Sequence, residues 1–523
     1  MIGSNIKTPG VYVNEINAFP NSIQPVPTAV PAFIGYTPQA SYQGQSYTNV
    51  PLKITSFADF QAVYCYPTQK PSSGTLKQYS PQYYLSPQNG ASKGNCIQLG
   101  TTSYAICPDP ATIYYLYNSI QLFYMNGGGD AYIVSVGSYG EPSNKPALPG
   151  AHIVNPNVIL ADLLRGLEEL KKESEPTMYI CPEATLLSVA DNASLMQAML
   201  LQCTEMQTAI SVFDIIGGND PDPNTYMDDI ATFRNSTGNT GLNYGTAYYP
   251  FIGTTIMQSQ DLDYTNLFGG DVSQLAQLLN PPSQPDSSVQ AIIGNIQNPT
   301  SGLTVSQNNN ALLTVSTTYS IIMQHILAQV NLLPPSAGMA GVMAATDRET
   351  GVWQAPANTS IIGTVSLPIR LTETQQVSLN IDALSGKSVN AIRFFNGIGI
   401  LVWGARTLDG NSLDWRYLPV RRTMIFIEQS CKQAASAYAF SPNTKNTWEA
   451  VKAMISSFLT GVWKQGGLQG ATPAEAFSVS CGLGSSMTAD DVLDGYMRVT
   501  IMVAIVHPAE FIVITIQQQM AAS

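Results

Sequence analysis

Helix and strand patterns alternate between residues 157 and 255, and this alternation constrains the fold more than any other feature of the chain. Three apolar runs have the length of buried strands, at Met178–Pro182, Ala209–Ile216 and Tyr244–Ile252. Around them, apolar residues recur every three or four positions, as on one face of a helix: Ile159, Leu163, Leu164, Leu167 and Leu170, then Leu195, Met199, Cys203 and Met206, then Met227, Ile230 and Phe233. Such an order is typical of a parallel sheet covered by helices. We therefore predict an α/β domain in the middle of the chain.

The composition limits the size and the partners of the protein. Its 523 residues exceed what one hydrophobic core usually organises, so we expect two to four domains. Charged residues make up only 11% of the chain, against about 25% in an average soluble protein. This low value suits either surfaces that pack against neighbouring subunits or a globular protein of low charge. The net charge of −12 argues against nucleic acid as a partner, because binding phosphates requires clustered Lys and Arg.

No sequence feature predicts secretion or membrane insertion. The N-terminus lacks the apolar run of a signal peptide. The most apolar stretch, Val499–Val506, is far shorter than the roughly 20 residues of a membrane helix. We therefore expect cytoplasmic assembly without direct membrane insertion. The seven cysteines include no C-x-x-C pair, and in a reducing compartment they are expected to be free and mostly buried thiols.

No combination of residues predicts a catalytic, cofactor-binding or metal site. His152, His325 and His507 lack a ligand spacing to Cys, Asp or another His. Gly217–Asp220 follows a predicted strand, as a nucleotide-binding loop would, but two prolines crowd it and no Lys-Ser/Thr pair follows. We therefore predict that the chain is not an enzyme and uses no cofactor. The alternative is an α/β enzyme, hydrolase-like or nucleotide-binding, built on residues 157–255.

The last hundred residues have a different pattern, which predicts a small α+β domain. Two helical faces are formed by Met424, Ile427, Cys431, Ala434 and Tyr438, and by Trp448, Val451, Ile455, Phe458, Leu459 and Val462. The second helix is predicted to begin at Asn446 as its cap, with Glu449 three positions later. It is predicted to end near Gly461 and Gly466–Gly467. Alternating apolar residues after Val479 supply the strands of a small sheet.

Both ends of the chain are predicted to be extended arms. Val11–Ile16 has the pattern of a short strand, and the prolines that follow it disfavour a helix or a central strand. Such a segment is either frayed or paired with the edge of another chain's sheet. Phe511–Ile516 also alternates as a strand, which is either an edge of its own domain or a link to another subunit.

Three blocks of sequence resemble those of contractile tail sheath proteins, found in phage tails and related injection systems. The first is Thr8–Thr37, with Thr-Pro-Gly-Val-Tyr-Val-Asn-Glu before a Pro-rich link and a buried strand. The second is Pro334–Asn358, with Thr-Asp, Gly-Val-Trp and Ala-Pro-Ala. The third is Asp414–Ile516, with Asp-Trp-Arg-Tyr near its start and Pro-Ala-Glu-Phe near its end. Residues 38–110 and 256–318 lie outside the resemblance and are predicted to be variable insertions.

The resemblance implies a structural sheath subunit. Subunits of this family form stacked hexameric rings around an inner tube and contract to drive the tube into a target. The implied partners are further copies of the chain, the inner tube protein, and baseplate and tail-terminator or cap proteins. A non-contractile tube or baseplate component is a further alternative. The sequence is equally compatible with a phage tail, a released injection particle and a particle anchored to a membrane through other subunits.

The resemblance also implies how the chain is divided. We predict an N-terminal arm at 1–28, a middle α/β region at 29–355, a C-terminal α+β core domain at 356–507 and a C-terminal arm at 508–523. The arms of two neighbours are implied to complete one sheet in the C-terminal domain of a third subunit. The residues predicted to form these intersubunit strands are Val11, Tyr12, Val13, Glu15 and Ile16, and Phe511, Ile512, Val513, Ile514 and Ile516.

Basic residues are concentrated in the helices of the predicted C-terminal domain. Residues 421–464 contain six basic and two acidic residues, a local net charge of +4 in a chain of −12. Lys445, Glu449 and Lys452 lie on one predicted helix face. Together with Lys464 they are the candidates for contact with an acidic inner tube, and an ordinary solvated helix face is the alternative.

Overall fold

The computed structural model describes residues 23–67, 77–88, 95–220, 222–282, 285–298 and 302–511. The chain divides into two compact units. The smaller unit contains the described residues up to Val26 and Thr423–Val506, and the larger unit contains Pro27–Arg422 and the residues from His507 onward. The division at Arg422 and Thr423 falls inside one helix, Leu418–Ser436.

The larger unit alternates strands and helices over most of its length. Its strands are β1 Pro31–Thr37, β2 Ser41–Tyr42, β3 Gln45–Ser46, β4 Leu52–Ile54, β5 Tyr83–Gln88, β6 Cys96–Leu99, β7 Thr102–Pro108, β8 Ala131–Ser138, β9 Met178–Ile180, β10 Ile210–Asp214, β11 Gly245–Tyr249, β12 Ile252–Thr254, β13 Leu332–Leu333, β14 Thr364–Ser366, β15 Asn390–Phe395 and β16 Gly399–Trp403. Its helices are α1 Phe57–Tyr64, α2 Leu116–Met125, α3 Leu160–Glu169, α4 Val189–Met206, α5 Tyr226–Ser236, α6 Val272–Leu279, α7 Ser287–Gln297, α8 Val305–Val315, α9 Thr317–Val330, α10 Ser336–Glu349 and α11 Glu373–Asn380. The helix shared with the smaller unit, Leu418–Ser436, is α12.

Eight strands of the larger unit form its main sheet, in the order β16-β15-β11-β10-β9-β1-β8-β4. The strands from β15 to β8 are parallel, and the outer strands β16 and β4 are antiparallel to their neighbours. The three runs predicted as buried strands form β9, β10 and the pair β11 and β12. The predicted parallel sheet with intervening helices is therefore present.

Different helices cover the two faces of the main sheet. Ile34 of β1 faces α3, where a Cβ atom on Gly166 would lie 3.0 Å from Ile34 Cγ2 and 2.6 Å from Val136 Cγ1. The neighbouring Phe33 faces the opposite way and packs against Phe123 of α2, with 5.3 Å between ring centroids. Burial on both faces explains why the strands are continuous apolar runs in the sequence.

Local side chains define several helix starts. The side chain of Ser188 accepts the Asp191 N–H at the start of α4. Thr304 and Gln307 form a capping box at α8. These contacts satisfy backbone donors that have no partner inside the helix.

The segments predicted as insertions contain regular structure. The first adds β4 to the edge of the main sheet, contains α1, and builds a separate antiparallel sheet in the order β5-β7-β6. The second contains α6, α7 and α8. Among the described residues no single helix is long and apolar enough to cross a membrane, although the bent pair α8 and α9 passes that test jointly, by length and composition alone.

The boundary predicted between residues 355 and 356 lies inside the larger unit. Residues 356–422 belong to this unit because β15 pairs with β11, with Asn390 opposite Tyr248, and β16 forms the edge of the same sheet. The smaller unit is correspondingly shorter than the predicted C-terminal domain.

The smaller unit contains most of α12, then α13 Lys445–Lys464, α14 Pro473–Ala476, β17 Phe477–Ser480, α15 Ala489–Leu493 and β18 Thr500–Val503. The rings of Phe426 in α12 and Phe458 in α13 lie 5.7 Å apart. Val451, Ile455 and Leu459 form the buried face of α13. The prediction of two helices and a small sheet therefore describes this unit.

The predicted start of α13 needs correction, whereas its predicted end is confirmed at Gly466–Gly467 but not at Gly461. Thr444, not Asn446, is the N-cap residue, and Asn446 is an exposed residue of the first turn. The helix continues through Gly461 and ends at Lys464. Gly466 follows with φ of +87°, and the Gly467 N–H then bonds the Val462 carbonyl at 3.0 Å. This is the Schellman termination that glycine permits, and it determines where the helix stops.

Candidate assembly site

The small sheet of the smaller unit has edges that no other described strand covers. Its two strands, β17 and β18, are antiparallel. Ala504 donates its backbone N–H to the Ala476 carbonyl at 2.8 Å. In an antiparallel ladder, residues alternate between facing the partner strand and facing away. The backbone groups of Ile501 and Val503 therefore point away from β17, toward the outer edge of β18.

The part of this edge that has no partner among the described residues is short. Just after β18, Gln469 donates its N–H to the Ala504 carbonyl at 2.7 Å, and Leu468 lies opposite Ile505. Within β18 the Met502 side chain is 62% exposed. A two-stranded ribbon is only marginally stable, and an unpaired edge is a template for a strand from another chain. The outer edge of β18 is therefore a candidate docking site for an extended arm.

The predicted intersubunit strands lie almost entirely outside the described residues. Of the predicted C-terminal strand only Phe511 is described, and its side chain is 69% exposed. The residues outside the described part of the chain are Val11, Tyr12, Val13, Glu15, Ile16, Ile512, Val513, Ile514 and Ile516. Their role in linking subunits stays a prediction.

The described residues next to the two arms belong to different units. On the N-terminal side, Ile23 is buried, and Val26 donates its N–H to Ser430 Oγ at 3.2 Å within the smaller unit. On the C-terminal side, Glu510 forms an ion pair with Arg406 at 2.6 Å within the larger unit. The described residues that border the two predicted arms therefore belong to different units.

Sequence reasoning missed Arg406 and assigned no role to Glu510. A signal for Glu510 was present, because it is the only charged residue between His507 and Ile516. A lone charge beside an apolar strand pattern often has a specific partner. Arg406 had no such signal, because its partner lies 104 positions away in the sequence.

The predicted tube-facing residues lie mainly on the exposed side of α13. Lys445, Glu449 and Lys464 are exposed, and Lys452 is half-buried. None of the three lysines forms an ion pair with another described residue. Met454, on the other side of the helix, is buried. The structure thus presents this basic face to solvent in the free subunit.

Two buried carboxyl groups lie where α/β enzymes usually bind ligands, at the carboxyl ends of parallel strands. Glu183 follows β9 and accepts the Leu116 N–H at the start of α2, at 2.8 Å. Asp214 ends β10 and accepts the Ser336 N–H at 2.9 Å and the Ser336 hydroxyl at 2.5 Å, at the start of α10. Burial raises the pKa of each carboxyl group to about 7. Both groups therefore cap helices of their own unit, at positions that an anionic ligand takes in nucleotide-binding folds.

The loop considered as a nucleotide site lies beside a cavity of about 450 Å³. Asn219 and Asp220 contribute to the cavity wall, together with Tyr79, Tyr115 and Gln329. The described residues of this wall include no Lys, Arg or His that could neutralise a phosphate. The described part of the chain also contains no group of three or more His, Cys, Asp or Glu residues suited to a metal ion.

Comparison with known proteins assigns the family. Two family models match in succession, the phage tail sheath protein central domain at residues 270–408 and the phage tail sheath C-terminal domain at residues 411–519. This chain belongs to the tail sheath protein family. The central-domain match begins at residue 270, so residues 270–318 lie inside the family domain. Their placement outside the resemblance was wrong.

One curated relative of this sheath protein is the tail sheath protein of Vibrio phage KVP40. It is 28% identical over 208 residues, which cover 36% of this chain and 30% of the relative. The match therefore spans less than a third of the phage protein's length.

Solved structures resemble the sheath protein over nearly its whole length. One is a chain of the anti-feeding prophage helical sheath in the contracted state, at 23% identity and a TM-score of 0.58, covering 98% of this chain and 99% of that one. Another is a chain of the contracted PVC sheath complex of an extracellular contractile injection system, at 22% identity and a TM-score of 0.57, covering 99% of both chains. A chain of the anti-feeding prophage baseplate matches at 23% identity, a TM-score of 0.58 and coverage of 98% and 99%. At these identities the likeness establishes a shared mixed α/β fold.

Proposed function

We propose that this sheath protein forms stacked hexameric rings around an inner tube, and that the rings contract to drive the tube into a target. The observation that carries the proposal is the outer edge of β18, which no other described strand covers and which lies in the part of the chain that matches the sheath C-terminal domain. An edge of this kind can accept an arm from a neighbour through backbone hydrogen bonds. Copies of one chain joined in this way form an extended assembly rather than a closed pair.

Contraction in this proposal is a transition between two packings of the same subunits. The arms hold neighbours together while the packing of their bodies changes, and the free-energy difference between the packings supplies the work. No nucleotide is consumed. A non-contractile component would instead form cylinders of constant length, so the lengths of assembled cylinders before and after triggering separate the two functions.

The particle that contains this subunit is proposed to be a phage tail or a phage-tail-like injection particle assembled in the cytoplasm. Such a particle is either released or anchored to a membrane through its other subunits. The further partners are the inner tube, the baseplate and the terminator or cap proteins. The relatives found in solved sheath and baseplate assemblies support this list in part.

Deletion of the N-terminal arm tests the proposal directly. Removing residues 1–20 should leave the far-ultraviolet circular dichroism of the subunit unchanged and prevent long cylinders in negative-stain micrographs. A matched control replaces the same residues with a Gly/Ser segment of equal length. It should fail in the same way, because the pairing strand rather than the chain length is required. Cylinders of normal length from the deletion would refute the arm hypothesis.

The exposed basic face of α13 is proposed to contact an acidic inner tube. Contacts between exposed charges are weak and are screened by salt, which suits a sheath that must release its tube. Lys445→Glu with Lys452→Glu should reduce assembly on purified tubes. Lys171→Glu with Lys172→Glu, on the larger unit, makes the same change in net charge and should not. If Lys445→Glu with Lys452→Glu assembles on tubes as well as Lys171→Glu with Lys172→Glu does, this contact is excluded.

A further inference from the structure

The acidic residue of the Pro-Ala-Glu-Phe block is held by three side chains. Glu510 Oε1 accepts from Arg406 Nε at 2.9 Å, and its Oε2 accepts from Arg406 Nη2 at 2.6 Å. Asn380 Nδ2 donates to Oε1 at 3.0 Å, and the Tyr417 hydroxyl donates to Oε2 at 3.4 Å. The side chains of Arg406 and Glu510 are only 3% and 20% exposed. This bidentate geometry is the strongest form of a carboxylate–arginine contact, and it fixes the orientation of the two side chains as well as their distance.

The electrostatics of this contact favour the ionised carboxylate. Burial alone would raise the pKa of Glu510, but the hydrogen bonds from Arg406 and Asn380 outweigh it and hold the pKa below its usual range. The ion pair therefore persists at neutral pH.

Arg406 is itself hydrogen-bonded through its backbone to two internal strands of the main sheet. Its backbone N–H donates to Asn390 Oδ1 at 2.8 Å. Its carbonyl accepts from Asn390 Nδ2 at 2.9 Å and from Thr246 Oγ1 at 2.9 Å. Asn390 begins β15 and Thr246 lies in β11, two paired strands of the sheet. A force applied to Glu510 is therefore transmitted through Arg406 to the internal strands β15 and β11.

The chain around Glu510 has no regular structure of its own. Residues 507–511 form neither helix nor strand. Side-chain contacts, rather than a backbone ladder, therefore hold this segment to the larger unit. The His507 ring also packs against Tyr417, with 5.9 Å between centroids. Parts of the Asp-Trp-Arg-Tyr and Pro-Ala-Glu-Phe blocks are brought together here, through Tyr417 and Glu510.

We propose that the pair of Glu510 and Arg406 is the anchor of the C-terminal arm. It fixes, on the main sheet of the larger unit, the point from which residues 512–523 reach a neighbouring subunit. Glu510 is a positioning residue, because it acts on the arm through Arg406 and touches no other subunit in this role. The inference rests on the proposed function, since only an arm that links subunits must carry tension.

The test compares Glu510→Gln with Glu175→Gln in the full-length protein. Glu175 is a matched control because its carboxylate also pairs with a basic side chain of the larger unit, Lys53 at 2.6 Å, and is 29% exposed. Two properties are measured: hydrogen–deuterium exchange of the 507–511 backbone in the free subunit, and the critical concentration for cylinder formation. Glu510→Gln should speed the exchange at least tenfold and raise the critical concentration at least tenfold. Glu175→Gln should change neither.

The outcomes separate the anchor from the proposed function. If the unmodified protein forms no cylinders, the proposed function fails. If it forms cylinders and Glu510→Gln assembles at the same concentration, the anchor is refuted, whatever happens to the exchange. A higher critical concentration without faster exchange also refutes it, because residues 507–511 would still be fixed to the larger unit.

Thermal unfolding shows whether Glu510→Gln weakens the whole subunit. If it does, Asn380→Ala replaces it, because this variant removes one hydrogen bond to Glu510 and leaves the ion pair in place. The anchor then predicts smaller changes of the same sign in both exchange and assembly, and no change in either would overturn it.

Discussion

The buried ion pair of Asp347 and Arg422 allows a quantitative test of what holds the larger unit together. Arg422 Nη1 lies 2.9 Å from Asp347 Oδ1, and Nη2 lies 2.6 Å from Oδ2. Each side chain is only 4% exposed. Arg422 Nη2 also donates to the Thr28 carbonyl at 3.1 Å, just before the first strand of the main sheet. One guanidinium group thus holds together three distant parts of the sequence.

Asp347→Ala should strongly destabilise the larger unit, because the guanidinium of Arg422 would be left buried without a counter-charge. Removing one partner of a buried pair costs about 3–5 kcal/mol in free energy of unfolding. Combining Asp347→Leu with Arg422→Met removes both charges. The loss should then fall to about 1–3 kcal/mol, because mainly the Thr28 carbonyl loses a donor.

Urea unfolding of the free full-length subunit measures both losses, with the transition of the larger unit fitted separately from that of the smaller unit. Glu168→Ala is the control, because it removes the exposed partner of Lys171, whose Nζ lies 2.9 Å from the carboxylate. Exposed pairs of this kind contribute at most about 1 kcal/mol. The reasoning is refuted if Asp347→Ala costs no more than Glu168→Ala, or if the double variant is less stable than Asp347→Ala.

Three further predictions concern the free subunit. Burial raises the pKa of Glu183 from 4.5 to about 7, so its contribution to stability is full below pH 4.5 and is lost as the pH rises to 7. Between pH 4.5 and 7 the urea midpoint should fall less steeply with pH in Glu183→Gln than in the unmodified protein. The same steepness in both proteins would contradict the raised pKa of Glu183. Gly166→Ala should cost about 1–3 kcal/mol because its Cβ has no room. Gly294→Ala lies at an exposed helical position where an added Cβ meets no atom within 4 Å, and it should instead raise the free energy of unfolding by about 0.5–1 kcal/mol. Denaturant titrations that shift both variants in the same direction would contradict this contrast. Cys96 should react first with a thiol reagent because the other six cysteines are buried. In the urea-unfolded chain all seven cysteines should react at similar rates. Similar rates for all seven in the folded subunit would contradict the prediction.

The parallel sheet could be predicted because its signals are local. Strands such as β9 and β10 are buried on both sides and are therefore continuous apolar runs. The helices between them repeat their apolar residues every three or four positions. The start of α13 was harder to place, because several polar residues near Asn446 could serve as its cap and only the path of the chain selects Thr444.

The arm anchor and the limits of the two units could not be predicted in this way. The edge of the main sheet depends on β15 pairing with β11, which lies more than a hundred residues earlier. The anchor depends on Arg406 meeting Glu510 across 104 positions. Neither contact alters the periodicity of the residues around it, so neither leaves a pattern in the chain.

The amino-acid sequence by itself determined the family resemblance, the α/β character of the middle region and the helix pair of the smaller unit. Each of these depends on residues that are neighbours or nearly neighbours in the chain. The tertiary structure alone decided which strands lie at the edges of the main sheet, which carboxyl groups are buried as helix caps, and that Glu510 pairs with Arg406. These properties arise when folding brings distant segments into contact and excludes water from the charges between them, and no local stretch of sequence contains that information.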